Sequence, residues 1–243
     1  MKYVLYFFAL ALLSCSKGKN QAIMWDTRQL EAENCVGKEC AKVSLSYPIA
    51  AGGAQSAVIN ATIETQLQRY LDSEDISADL EKSVENFLQN YIDFKEEFPD
   101  AYGECSLEVE ARVSHQSDSL LSVYFEHYVF TGGAHPNSSV YFLNFDPQSG
   151  EVIERDQLIL NQEELLSMAK DSFRAFHQIP PDQDLKESGQ FFLPETGFFL
   201  PQAIGFREDS LYLIYIPYEI GPYVMGYTEL SFAPEQVRGI VRK

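Results

Sequence analysis

Alternation of apolar and polar side chains with a period of two residues marks several stretches of this sequence as β-strands. In AKVSLSY, residues 41–47, valine, leucine and tyrosine alternate with lysine and serine. The same period recurs over residues 107–113 and 121–129. Successive side chains of a strand point to opposite faces of its sheet, so each stretch predicts a strand with one buried face. Turn-forming residues at 117–119 and 146–150 predict that the later strands form an antiparallel meander.

Segments with a helical period lie between the strands. Apolar residues recur every three or four positions from about Ala57 to Tyr70, from about Ser77 to Phe98, and after Asn161. Asn161 and Glu164 have the spacing of a capping box. Helices and strands occur in clusters and not in regular βαβ alternation. The sequence therefore predicts an α+β fold, with antiparallel sheets, amphipathic helices packed on one face, and two linked subdomains.

The N-terminus has the features of a bacterial lipoprotein signal. Lys2 precedes an apolar run over residues 3–13, which is too short to span a bilayer. Leu-Leu-Ser-Cys at 12–15 matches a lipobox, whose cysteine is acylated; the alternative is an ordinary signal peptide with an incidental cysteine. The sequence predicts a signal peptide over 1–14, a lipidated Cys15 that anchors the protein to a membrane, and a polar tether within 15–38. The predicted location is the bacterial cell envelope, facing the periplasm.

Three cysteines remain besides Cys15, namely Cys35, Cys40 and Cys105. An odd number in an exported protein implies one disulfide and one free thiol. Cys35 and Cys40 flank the turn-like sequence Val-Gly-Lys-Glu, which favours their pairing, although a bridge from either one to Cys105 would close a longer loop and stabilise more. No histidine lies at ligand spacing from these cysteines, so we expect neither a metal site nor a cofactor.

The formal net charge of −18 at pH 7 restricts the possible partners. Binding of phosphate backbones requires clustered Lys and Arg, so nucleic acid is not an expected partner. A basic protein would be attracted to such a chain. Maintenance of solubility is the simpler explanation of the same acidity.

The sequence lacks the common catalytic signatures. It contains no G-x-S-x-G, no H-E-x-x-H, no phosphate-binding G-x-x-x-x-G-K and no dinucleotide fingerprint, and we therefore expect a protein that is not an enzyme. His127 is two residues from Phe125 in the same predicted strand, so both side chains point to the same face. His127 is therefore expected in or beside the core. His115, near a turn, is expected to be solvated.

Candidate binding residues fall in two loops. In TGGAHPN (131–137), Gly132 and Gly133 permit positive φ, and Pro136 restrains the backbone, so that His135 and Asn137 would be held at the sheet rim. A simple turn is the alternative. In PYEIGPYVMGYTELSF (217–232), Tyr218, Tyr223 and Tyr227 suit a stacking platform for sugars or a protein anchor, and core and edge packing is the rival interpretation.

Two longer stretches carry a family resemblance. FTGGAHPNSSVYFLNFDPQSGEVIERDQLI (130–159) and IPYEIGPYVMGYTELSF (216–232) resemble the extracytoplasmic domain pair of RsiV-like, lysozyme-sensing anti-sigma factors, which also precedes the catalytic domain of PdaC-like peptidoglycan deacetylases. The resemblance implies an N-terminal domain over 39–147 and a C-terminal domain over 148–243. We find here neither the transmembrane helix of the former nor the catalytic domain of the latter.

The resemblance therefore implies a membrane-anchored, non-catalytic binding or sensing module. By analogy its ligand would be a basic, lysozyme-like protein or cell-wall glycan. Two alternatives stay open. One is a structural or assembly lipoprotein, and the other is a peptidoglycan-acting enzyme in which His135 and a nearby carboxylate serve as acid and base.

Overall fold

The computed structural model describes residues 23–71, 79–101, 103–180, 182–187 and 189–243. The predicted signal peptide at 1–14 and Cys15 lie outside these ranges. Within them, no helix has both the length and the apolar character needed to cross a membrane. The elements follow in the order β1 (Met24–Val36), β2 (Glu39–Ala51), α1 (Gln55–Tyr70), α2 (Leu80–Glu97), β3 (Cys105–Gln116), β4 (Leu121–Phe130), β5 (Asn137–Phe145), α3 (Arg155–Leu158), α4 (Gln162–Phe176), β6 (Ala203–Arg207), β7 (Ser210–Tyr215) and β8 (Thr228–Phe232).

The strands form two sheets, one with the order β1-β2-β3-β4-β5 and one with the order β6-β7-β8. This confirms the α+β class and the two subdomains. The meander of β3, β4 and β5 is antiparallel as predicted. The pair β2 and β3 departs from the prediction, because these strands run parallel. The reason is the connection between them, since α1 and α2 form the crossover that parallel neighbours require.

The predicted tether is wrong for Met24–Val36, which is strand β1. This strand pairs with β2 from Met24 opposite Ala51 to Val36 opposite Glu39. As an edge strand it is largely exposed, and its polar sequence suits such a position. Cys35 lies opposite Cys40 near the hairpin turn, and the two form a disulfide. Cys105 is a buried free thiol.

Helices α1 and α2 cover one face of the five-stranded sheet. In α1 the side chains of Ile59, Ile63 and Leu67 are fully buried, as the helical period requires. In α2 the buried positions include Leu80, Val84, Leu88 and Tyr91. The Asp79 carboxylate caps the start of α2 by accepting a hydrogen bond from the Lys82 amide at 2.8 Å. The N-terminal core lies between these helices and the sheet.

The C-terminal subdomain packs α4 against the three-stranded sheet. Asn161 caps α4, because its side chain accepts a hydrogen bond from the Glu164 amide, as the sequence spacing predicts. Phe173 of α4 is fully buried and contacts the ring of Tyr215 in β7. Val152 packs on the first core and Ile153 belongs to the second, which also includes Leu120 from the turn before β4.

Buried polar contacts join the two subdomains. The Asn144 side chain donates to the Ile204 carbonyl at 2.9 Å and accepts from the Ser122 hydroxyl at 2.7 Å. The prediction of a solvated His115 is wrong, because this ring is 7% exposed, lies against Phe206 and hydrogen-bonds the Glu208 carbonyl. The sequence did not indicate that the turn after β6 would pack against this histidine. In the structure it does, and it covers the ring.

Candidate functional site

The TGGAHP loop connects β4 to β5 at one end of the five-stranded sheet. Gly132 has a φ of 79°, which favours glycine, whereas Gly133 is not among the residues of positive φ. A methyl group placed on Gly103 would lie 2.9 Å from the Cα of Gly132, so the segment before β3 supports this loop by close backbone contact. The loop is therefore held against the sheet end, and His135 and Asn137 are exposed beyond it.

The second loop, residues 216–227, joins β7 to β8 and contains a short 3₁₀ turn at Tyr223–Met225. Tyr218 has a φ of 71°, an uncommon conformation for a residue with a side chain. The neighbouring Glu219 carboxylate holds this conformation by accepting the backbone amides of Ile216 at 3.0 Å and Gln202 at 2.8 Å. Burial raises the pKa of Glu219, while the two amide hydrogen bonds and Arg155 oppose that rise.

The two loops meet through their aromatic side chains. His135 stacks on Tyr223, with ring centroids 4.2 Å apart and planes inclined by 21°. Tyr218 lies 5.6 Å from Tyr223 and 6.3 Å from His135, measured between ring centroids. We call these three residues the aromatic rim.

Hydrogen bonds orient the imidazole of the rim. The Nδ1 atom of His135 lies 2.9 Å from the Pro136 carbonyl, which can only accept. Nδ1 therefore carries the proton, and Nε2 accepts from the Tyr218 hydroxyl at 3.3 Å. Both ring nitrogens are engaged, and the bonds fix the ring plane while leaving its outer surface in solvent.

The rim is open to solvent and bordered by apolar surface. Tyr218 is 53% exposed, and Val224, in the 3₁₀ turn beside Tyr223, is 90% exposed. Exposed aromatic rings at fixed angles, with polar atoms at their edges, suit contact with an amphipathic ligand. The chemistry that this arrangement supports directly is recognition.

The structure brings together His135, Tyr218 and Tyr223, which the sequence assigned to two separate loops. Gly132, Gly133 and Pro136 shape the first loop. Asn137 is the first residue of β5 and pairs with Val129. Tyr227, the last residue of the second loop, was predicted to belong to the same platform, but it lines a hollow on the five-stranded sheet and lies outside the rim. The role of Glu219 was not predicted from the sequence. It depends on a hydrogen bond from the Gln202 amide, and no local sequence pattern predicts that contact.

Other titratable residues contribute to packing. His127 lies beside the core as predicted and stacks on Tyr70 with ring centroids 4.5 Å apart. Burial lowers its pKa to about 4. Within the described residues, the one group with metal-ligand spacing consists of Glu33, Cys35 and Cys40, and the disulfide between the cysteines removes their thiolates.

Comparisons with known protein families match two separate regions of the chain. Residues 35–138 match the family described as "Deacetylase PdaC". Residues 156–233 match a "Protein of unknown function (DUF3298)". No curated protein matches the chain.

Two solved structures share the fold over most of their length. A DUF3298 family protein from Bacteroides fragilis NCTC 9343 is 16% identical, with a TM-score of 0.69, and the match covers 92% of this chain and 95% of that one. A DUF3298 family protein from Pseudomonas aeruginosa PAO1 is 22% identical, with a TM-score of 0.66, and the match covers 90% and 95%.

Proposed function

We propose that this chain, which joins a PdaC-like region to a DUF3298 region, is a lipid-anchored envelope protein that binds cell-wall glycan without transforming it. The observation that carries the proposal is the contact of His135 with Tyr218 and Tyr223. His135 comes from the first matched region and the two tyrosines come from the second. The recognition surface therefore needs both regions, which fits their occurrence in one chain.

The position of the rim supports the proposed anchoring. Near the first described residues, the Trp25 indole donates to the Gln116 side chain at 2.7 Å, and Gln116 pairs with Leu121 at the start of β4. The aromatic rim follows the other end of β4, after Phe130. Ten strand residues extend roughly 30 Å at ~3.3 Å each. A lipid on Cys15 would thus hold one end of the sheet near the membrane and present the rim at the opposite end.

The chemistry of the rim favours glycan as the ligand. Sugar rings carry apolar C–H faces, which pack on aromatic rings, and hydroxyls, which bond to polar edges such as the Tyr218 hydroxyl. The rim contains no carboxylate, so a basic lysozyme-like protein has less reason to bind at this place. Such a protein remains the second candidate ligand, supported by the charge of −18.

Sedimentation with purified peptidoglycan tests the proposal. We expect the wild-type protein to co-sediment, and Tyr223→Ala and His135→Ala to lose at least tenfold in apparent affinity. Phe176→Ala is the matched control, since this aromatic residue is 50% exposed on α4 and lies outside the rim. Equal retention of all four proteins would refute the role of the rim.

A separate measurement tests whether the protein leaves peptidoglycan chemically unchanged. Purified protein incubated with peptidoglycan should release neither acetate nor new reducing ends. Release that His135→Ala abolishes would establish the enzymatic alternative instead.

A further inference from the structure

Among the described residues, no helix packs on one face of the five-stranded sheet. The helices cover the side of Val43, Val109 and Phe125, and the intervening residues point the other way. The strand register sets these residues in rows across all five strands. One row runs Glu31, Ser44, Glu108, Tyr128, Ser138, and the next runs Gln29, Ser46, Glu110, Glu126, Val140. We call this surface the open face.

Carboxylates dominate the open face. Those on the strands and on the adjoining β8 are Glu31, Glu33, Glu108, Glu110, Glu126 and Glu229. Cations on the same face are Arg112, which pairs with Glu126 at 3.4 Å, Arg207, which pairs with Glu229 at 2.5 Å, and Lys42, which lies opposite Glu33 and lines the smaller hollow. Within the described ranges, neither Glu108 nor Glu110 has an ion-pair partner within 4 Å. The face therefore has an excess of negative charge at its centre.

One pair of these carboxylates opposes the stability of the sheet. Glu110 lies directly opposite Glu126 in the antiparallel pairing of β3 and β4. Like charges in that position destabilise a sheet, and Arg112 compensates only one of the two. A cation brought to this face from outside would relieve the repulsion.

The size of the open face indicates whether a single ion or a larger cationic molecule would bind there. Two hollows of about 520 and 760 Å³ adjoin on it, and both are lined by Ser44 and Glu108. The serine side chains are short, so they leave the hollows open above the sheet. Tyr227 and Glu229 of the C-terminal subdomain border the larger hollow. Five strands at ~4.8 Å spacing make the surface roughly 19 Å wide, which is the scale of a protein contact and not of a single ion.

We propose that the open face docks a protein partner through a lysine- or arginine-rich segment. The charge of the whole chain attracts such a partner, and the local carboxylates complement it. None of the three rim residues lines either hollow. This surface is therefore separate from the aromatic rim and goes beyond the glycan-binding function proposed above.

Titration of the full chain with poly-L-lysine of about 20 residues tests this inference by calorimetry at two salt concentrations. We expect binding that weakens with salt and falls at least fivefold in the double variant Glu108→Gln/Glu110→Gln. The matched control is Glu96→Gln/Glu97→Gln, which removes the same charge from exposed positions of α2 and should change affinity less than twofold.

Three outcomes would overturn the inference. One is equal weakening by both double variants, since this would mean that only the overall charge matters. Another is absence of binding at low salt. The third is tighter, Glu108-dependent binding of glucosamine oligomers, which would make a cationic glycan the occupant. Tyr223→Ala should keep full poly-L-lysine binding, so failure of the rim and failure of the open face can be told apart.

Discussion

His135 and Tyr223 stack with ring centroids 4.2 Å apart, although one extends from the loop between β4 and β5 and the other from the loop between β7 and β8. This contact exists only because the two subdomains are held in one relative position. The residues that hold them are therefore as important for the rim as the rim residues themselves. The first two predictions concern this support.

Gly103 should be required for the shape of the first loop. Its φ is 135°, and a methyl group there would lie 2.9 Å from the Gly132 Cα. We expect Gly103→Ala to lower the free energy of unfolding by ~1–3 kcal/mol, since both strain and contact oppose it. Gly133→Ala is the control, because a methyl group there meets nothing within 4 Å. Urea denaturation that finds the two variants equally stable would contradict this account.

Asn144 should couple the unfolding of the two subdomains. It is 5% exposed and bonds Ser122 in its own sheet and Ile204 in the other subdomain. Asn144→Leu leaves the Ile204 carbonyl unpaired, which costs ~1–3 kcal/mol. We expect calorimetry to show a lower transition temperature and a transition split into two steps. Asn161→Ala, which removes only the α4 cap, should cost about 1 kcal/mol and keep a single transition.

Strand parity and helical period predicted much of the fold from the sequence. The residues from Val123 to His127 alternate as expected, with His127 on the helix-covered side. Strand β1 was not predicted, because an edge strand buries few side chains and its polar composition is similar to that of a linker. The parallel pairing of β2 with β3 depends on how two helices cross the sheet, which no short pattern encodes.

The candidate site shows the same limit. Each loop could be identified by its glycines, prolines and aromatic residues, and the sequence named His135, Tyr218 and Tyr223 separately. Their contact depends on long-range packing, such as the hydrogen bond from Ser114 to the Phe206 carbonyl at 2.7 Å. The open face is implied by the alternation of Leu107 and Val109 with Glu108 and Glu110. Its exposure follows only once both helices are known to lie on the other side.

Lipidation of Cys15 should determine where the protein is found. In a bacterium expressing the full chain, we expect incorporation of a labelled palmitate analogue and recovery in the membrane fraction. Cys15→Ser should abolish the label, because the Cys15 thiol is the proposed site of acylation. Cys105→Ser is the control, since Cys105 is a buried free thiol within β3 and lies outside the predicted lipobox. An unlabelled wild-type protein would exclude the proposed anchor.

His127 should make stability depend on pH between about 4 and 6.5. Burial lowers its pKa in the folded protein to about 4, whereas the unfolded chain has the ordinary value near 6.5. Below pH 6.5 the unfolded state binds the proton more readily, so stability is lost as pH falls through this window. The burial of His177 acts in the same direction. Asp146 has a lowered pKa, with the Gln148 amide as the main cause, and loses its contribution only at more acidic pH.

Urea unfolding at pH 7 and pH 5 measures this effect. For His127 alone we expect a loss on the order of 2 kcal/mol at pH 5. His127→Gln should reduce the difference between the two pH values, because a neutral amide has no proton to gain. An identical pH dependence in His127→Gln and the wild-type protein would show that His127 is not buried in its neutral form.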